Sequence, residues 1–142
     1  PQKELGLDFI FYGTSEPSNT YRTFQNLNNP SKIIHQHKNM KDQIQGVPCE
    51  CHPYATECKL PQSPMVGIFG APCNPFSIKR AKRFQDGNVK SHELAYVAMD
   101  DTIEWLLTFH PITAFKEQVR GFNMPESSGS TETPMNTLLV SE

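Results

Sequence analysis

The sequence predicts an α/β domain, and three observations predict it. Apolar runs of strand length end abruptly in glycine or proline, as Val66–Phe69 does at Gly70, Pro72 and Pro75. Helical periodicity fills stretches between such runs, most clearly over Glu93–Phe109. Twelve prolines and a mean hydropathy of -0.52 describe a loop-rich α/β or α+β chain rather than a helical bundle. The 142 residues suffice to bury a single core. A net charge of -2 provides no global basic field, so any nucleic-acid contact must come from a local patch. No apolar run approaches the roughly 20 residues of a membrane span, and no signal-peptide pattern opens the chain. A strand-like run begins soon after Pro1, which is not an initiator methionine, so further residues upstream are expected.

Leu7–Tyr12 is β-rich and reads as the first strand, closed by Gly13 and followed by Thr14, Ser15 and Glu16. Pro17, placed as a first helical residue, opens a helix in which Tyr21, Phe24 and Leu27 recur at threefold spacing. Asn28, Asn29 and Pro30 end it, and Lys32–His35 can start a second short strand. An acid just after a strand end is where open α/β sheets hold a ribose, because a carboxylate accepts both hydroxyl hydrogens. Glu16 occupies such a place, which also suits an ordinary helix-start glutamate favoured by the dipole.

Residues 44–64 break the alternation and read as an inserted Cys/Pro-rich loop. Cys49, Cys51, His52 and Cys58 offer four soft ligands there, enough in number for a tetrahedral zinc site. The C-x-C-H spacing is not that of a standard knuckle, so a disulfide and loop thiols without a role stand beside the zinc reading. His35 and His37 alternate along the second strand and read as surface histidines.

The stretch Met65–Ser77 organises the chain: a strand delivers Cys73 at the tip of a stiff loop, the place where open α/β sheets build active sites. A buried structural thiol beside a turn is the competing reading. Lys79, Arg80, Lys82 and Arg83 follow as the densest positive cluster, suited to phosphates or to a solvated helix face. In Glu93–Phe109, Met99, Ile103, Leu106 and Leu107 form the apolar stripe, and His110-Pro111 ends the helix. Ile112–Phe115 is β-prone and leads to Lys116 and Glu117, so a strand again delivers an acid. Residues 123–133 are Ser/Thr/Glu/Gly-rich and read as mobile, while Met135–Val140 begins another helix or strand.

Glu16, Cys73 and Glu117 thus follow three strand ends in this order. Gly70-Ala71-Pro72-Cys73-Asn74-Pro75-Phe76-Ser77 resembles the nucleophile loop of the cytosine-5 DNA methyltransferase family, usually Gly-Pro-Pro-Cys-Gln-Pro-Phe-Ser. Glu117-Gln118-Val119-Arg120-Gly121 is similar to the family's Glu-Asn-Val signature, and Glu16-Pro17 before an aromatic helix to its acidic cofactor-binding segment. The match covers roughly residues 7–122. The resemblance implies a Rossmann-like methyltransferase fold of three α/β/α layers dependent on S-adenosyl-L-methionine. In it Cys73 is the nucleophile that adds to cytosine C6, and Glu117 is the acid that binds the ring edge at N3. The base must leave the stack for both to reach it. Glu16, Pro17, Gly70 and Pro72 are then cofactor-binding, and Asn74, Ser77, Lys79, Arg80, Gln118, Val119 and Arg120 substrate-binding.

Ala71, Asn74 and Gln118 stand where the family carries Pro, Gln and Asn, and His35-Gln36-His37 lies where it carries an adenine-contacting Asp. The family's first strand and glycine-rich loop precede the acidic segment, and its target-recognition region and final helix follow the part matched here. A partial catalytic domain over 1–122, truncated at both ends and lacking that first strand, is therefore expected, with 123–142 a flexible segment. The implied partner is DNA, with tRNA as the alternative substrate and an inactive nucleic-acid-binding scaffold as the alternative role. The implied state is monomeric, off the membrane and intracellular, nuclear in a eukaryote.

Overall fold

The structure, a computed structural model, describes residues 9–80, 82–84 and 87–140. It is mixed α/β and divides into two compact units, Pro1–Pro61 and Gln62–Glu142. Each unit carries its own two-stranded parallel sheet.

In the first unit, β1 (Phe11–Ser15) pairs with β2 (Ile33–His37), with Phe11 opposite Ile33 and Ser15 opposite His37. Helix α1 (Asn19–Asn28) connects them, and α2 (Met40–Gln45) follows. The first strand therefore lies later than the Leu7–Tyr12 run, of which Leu7 and Asp8 fall outside the described residues. Pro17 is not the first helical residue. Ser18 is the N-cap, its side chain accepting the Tyr21 amide, because a hydroxyl satisfies a helix-start N–H that proline cannot. The apolar spacing of α1 also misleads about its face: Tyr21, Phe24 and Leu27 are exposed, while Arg22 is buried. Gly46 ends α2 in the left-handed conformation at φ 65°, where glycine has no Cβ to strain. Beyond it the chain to Met65 has no helix or strand.

Apolar burial in this unit is slight. Among its described residues the buried hydrophobic ones are Cys49, Cys58 and Leu60, beside buried Arg22, Gln36, His37 and Gln43. Gln36 shows how such polar burial is satisfied: its amide donates to the Arg22 carbonyl and Gln25 Oε1, and its oxygen accepts from Asn26.

In the second unit β3 (Val66–Phe69) pairs with β4 (Thr113–Lys116), with Phe69 opposite Lys116. Only alternate residues of β3, Gly67 and Phe69, are buried, so the strand is covered on one face rather than two. That cover is α4 (Asp100–Phe109), whose Trp105 meets Phe69 edge-on with centroids 5.1 Å apart. The expected single helix over Glu93–Phe109 is broken. A short α3 (Ala95–Ala98) is separated from α4 by Met99, whose backbone is not helical. The break re-aims the second segment, so Asp101, Thr102, Trp105 and Phe109 face inward and Leu107 is exposed. The core gathers Phe76, Val89, Ala95, Ala98, Met99 and Phe122, with Met135 and Leu138 of α5 (Pro134–Val140) packed on it.

Within residues 123–133, Glu126 is bonded to three other segments of the unit. Its carbonyl accepts the Val89 amide, its amide donates to the Glu132 carbonyl, and its buried carboxylate accepts from Thr137 and pairs with Lys90 at 2.8 Å. No helix among the described residues is long and apolar enough to cross a membrane.

Candidate functional site

The parallel pairing of β3 and β4 decides which loops can work together. Both strands run the same way, so Gly70–Ser77 and the segment from Glu117 leave the sheet at the same carboxyl end. The ladder continues one step beyond β4, where the Glu117 amide donates to the Phe69 carbonyl at 2.9 Å. Just before it, Lys116 reaches back to the end of α3 and donates to the Ala98 carbonyl (2.6 Å) and the Thr102 hydroxyl (3.2 Å). Glu117 therefore leaves a strand end fixed on two sides.

The cysteine loop is held by its own turn and by its neighbour. The Cys73 carbonyl accepts the amides of both Phe76 and Ser77, which curls the backbone and leaves the side chains of Cys73 and Asn74 exposed. Pro75 and Phe76 point the other way and are fully buried, Phe76 meeting Phe122 edge-on at 4.8 Å. The Gln118 amide donates to the Ala71 carbonyl at 3.4 Å, joining the two segments directly, while Gln118 Oε1 is buried without a hydrogen-bond partner. Val119 packs on the core and Arg120, exposed, opens a 3₁₀ turn through Asn123.

Of the basic run, Lys79 and Lys82 are exposed and Arg80 is half-buried. Ser77 accepts the Lys79 amide at 3.2 Å. Arg83 has a different task from phosphate binding. Its guanidinium donates to the carbonyls of Phe76, Gly121 (2.8 Å) and Pro125 (3.2 Å), pinning the cysteine loop to the segment after Glu117. Nothing in its sequence position separates it from its basic neighbours. Gly70 is exposed with open space around its Cα, and Pro72 is half-buried.

Glu16 and Pro17 lie in the first unit. The Glu16 amide extends the β1–β2 ladder to the His37 carbonyl (3.1 Å), and Glu16 Oε1 accepts the Ser18 amide at 2.8 Å, which orients the carboxylate. Buried Arg22 donates to the carbonyls of Glu16 and Pro17, both at 2.7 Å, and grips Glu50 with two nitrogens, at 2.9 and 2.8 Å. The loop behind β2 is thereby fastened to the Glu16 turn. The hydroxyls of Thr14 and Ser15, at the end of β1, are buried without partners.

The cysteine-rich loop regroups the ligands its spacing suggested. Cys51 is exposed and stands outside the cluster, and His35 of β2 takes its place. The donor atoms of His35, Cys49, His52 and Cys58 all lie within 4.8 Å of one another. Cys49 Sγ is 3.6 Å from His35 Nδ1 and 3.5 Å from His52 Nδ1. Burial alone raises the Cys49 thiol, but hydrogen bonds from His35, the Gln36 backbone, His52 and Cys58 outweigh it and bring it down to about 6. Burial pushes Cys58 the other way, upward. His35 escaped the sequence reading because it is remote from the loop. Its signal was its place on the strand onto which the loop folds, the Glu50 amide donating to the Gln36 carbonyl at 2.9 Å.

No family model matches the chain, and neither curated proteins nor solved structures include a significant match to it.

Proposed function

We propose that the chain carries the reacting loops of a cytosine-5 methyltransferase on a Rossmann-like, three-layer α/β/α fold, acting on DNA with S-adenosyl-L-methionine as the methyl donor. The observation that carries this reading is the shared exit of Gly70–Ser77 and Glu117 from one end of the β3–β4 pair, with Gln118 bonded to Ala71. Glu16 supports donor binding. Its oriented carboxylate still has lone pairs for a ribose diol beside one amide, and the partnerless hydroxyls of Thr14 and Ser15 add polar capacity at the same strand end. The donor supplies the methyl group as an electrophile.

Cytosine C5 is a poor nucleophile until C6 is attacked. Cys73, as thiolate, forms the S–C6 bond, and the ring electrons move toward C5. Glu117 holds the ring edge and shares a proton with N3 as negative charge develops there. After methyl transfer to C5, a base, water or a side chain, takes the C5 proton, the C–H electron pair re-forms the C5–C6 double bond, and Cys73 leaves as thiolate. The exposed position of Cys73 suits attack on a base swung out of the duplex. Exposed Lys79 and Lys82 suit the flanking phosphates.

The test is covalent trapping on DNA containing 5-fluorocytosine in the presence of S-adenosyl-L-methionine, with the longest natural form of the chain. Fluorine at C5 cannot leave as a proton, so an adduct resistant to denaturation is expected, and Cys73→Ser abolishes it. DNA binding without an adduct would replace the enzyme reading by a non-catalytic binding role. An adduct only with 5-fluorocytosine tRNA would move the substrate to RNA.

A further inference from the structure

We propose that His35, Cys49, His52 and Cys58 form a tetrahedral zinc site that staples the loop after α2 to strand β2. The ligand set is S₂N₂, which selects zinc among the common divalent ions. Two thiolates cancel the charge of the dication, so the complex is neutral, as a site with buried Cys49 and Cys58 requires.

The distances fit this geometry. Zinc bonds of about 2.3 Å to sulfur and about 2.05 Å to nitrogen, at a tetrahedral angle, place a sulfur and a nitrogen ligand roughly 3.5–3.6 Å apart. The separations from Cys49 Sγ to His35 Nδ1 and to His52 Nδ1 are 3.6 and 3.5 Å. The remaining pairs, within 4.8 Å, need to contract by no more than about 1.5 Å to reach their own tetrahedral edges.

The backbone already presents the ligands. The Glu50 amide bonds the Gln36 carbonyl beside His35, the His52 amide bonds the Cys49 carbonyl, and the Cys58 amide bonds the Gly46 carbonyl at 2.7 Å. Arg22 holds Glu50 from the helix side. The unit also has a structural use for a metal. Its only buried hydrophobic residues among those described are Leu60 and the two cysteines themselves, and a unit with so little apolar core is where metal binding contributes folding free energy outright.

Thiol counting and metal analysis on the full chain, purified with zinc and without reductant, test the site. Zinc at one ion per chain is expected. Exposed Cys51 and Cys73 should react at once with a thiol reagent, and Cys49 and Cys58 only after a chelator removes the metal. Replacement by Co²⁺ should give thiolate-to-metal charge transfer and the intense visible bands of a tetrahedral ion. Cys51→Ser should keep both signatures, whereas His35→Ala should weaken the metal by more than the roughly 10–100-fold that a supporting residue costs. The proposal falls if no metal is bound, if two thiols stay silent until a reductant is added and so form a disulfide, or if Cys51→Ser loses the metal while His35→Ala keeps it. The chelator-dependent count is made on the unsubstituted chain and so reads the site even where a variant fails to fold.

Discussion

Gly121 lies so close to Phe76 that a Cβ at position 121 would come 1.8 Å from the Phe76 carbonyl oxygen. This approach, with Arg83 donating to the carbonyls of both residues, joins the cysteine loop to the segment that follows Glu117. The loop that carries Cys73 and the segment that follows Glu117 are thus joined by a contact that only glycine permits.

Gly121→Ala is accordingly expected to destabilise the second unit by on the order of 3 kcal/mol or to prevent its folding, since the obstacle is backbone rather than a movable side chain. Gly70→Ala, with nothing within 4 Å of the added methyl, should change stability by no more than about 0.5 kcal/mol. Urea unfolding of the two variants checks the contrast. Equal stabilities would show that the approach between Gly121 and Phe76 is not needed for the fold.

Arg22 and Glu50 give a graded prediction for the first unit. Removing one partner of a fully buried ion pair costs about 3–5 kcal/mol. The Glu50 side chain, however, is 34 % exposed, so solvent screens the arginine left behind. Glu50→Gln should therefore cost only about 1 kcal/mol. Arg22→Leu also strips the carbonyls of Glu16 and Pro17 of their donor and should cost about 3 kcal/mol. The ranking is read from thermal or urea unfolding, and a Glu50→Gln cost equal to that of Arg22→Leu would contradict it.

Lys116 makes stability depend on pH in the alkaline range. Burial lowers its ammonium from the ordinary lysine value of 10.5 to about 8. The folded protein thus releases the proton first, and between those two values the unfolded chain binds more protons. Stability then rises with pH across this window, the opposite of a lysine stabilised by a carboxylate. Lys116→Met should remove the rise, seen as a flatter plot of urea midpoint against pH from 7 to 10.5 than that of the wild type. Parallel plots for the two proteins would mean that Lys116 titrates normally.

The reach of sequence reading can be judged residue by residue. The loop around Cys73 was legible because its punctuation is covalent: Pro72 and Pro75 restrict the backbone wherever they occur, and Gly70 before them releases it from strand geometry. The acid after β4 was legible for a similar reason, as a β-prone run ending in a charged residue marks its own boundary. Position along a helix was harder. The periodicity of Tyr21, Phe24 and Leu27 located α1, yet the helix turns Arg22 inward because Glu50 and two carbonyls wait there. Met99 interrupts a stretch with helical spacing throughout, and beyond the break Trp105 is set inward against Phe69 of β3, a remote contact that the spacing alone does not contain.

Sequence by itself thus determined the mixed α/β class, the strand and loop that carry Cys73, and the strand end that carries Glu117, because local backbone chemistry is written into neighbouring residues. Tertiary structure decided the rest: that parallel pairing sends both loops out at one sheet end, that Arg83 serves as a pin, and that His35 rather than Cys51 completes the cysteine cluster. These depend on which remote segments meet, and the free energy of such meetings belongs to pairs of positions that no local pattern connects.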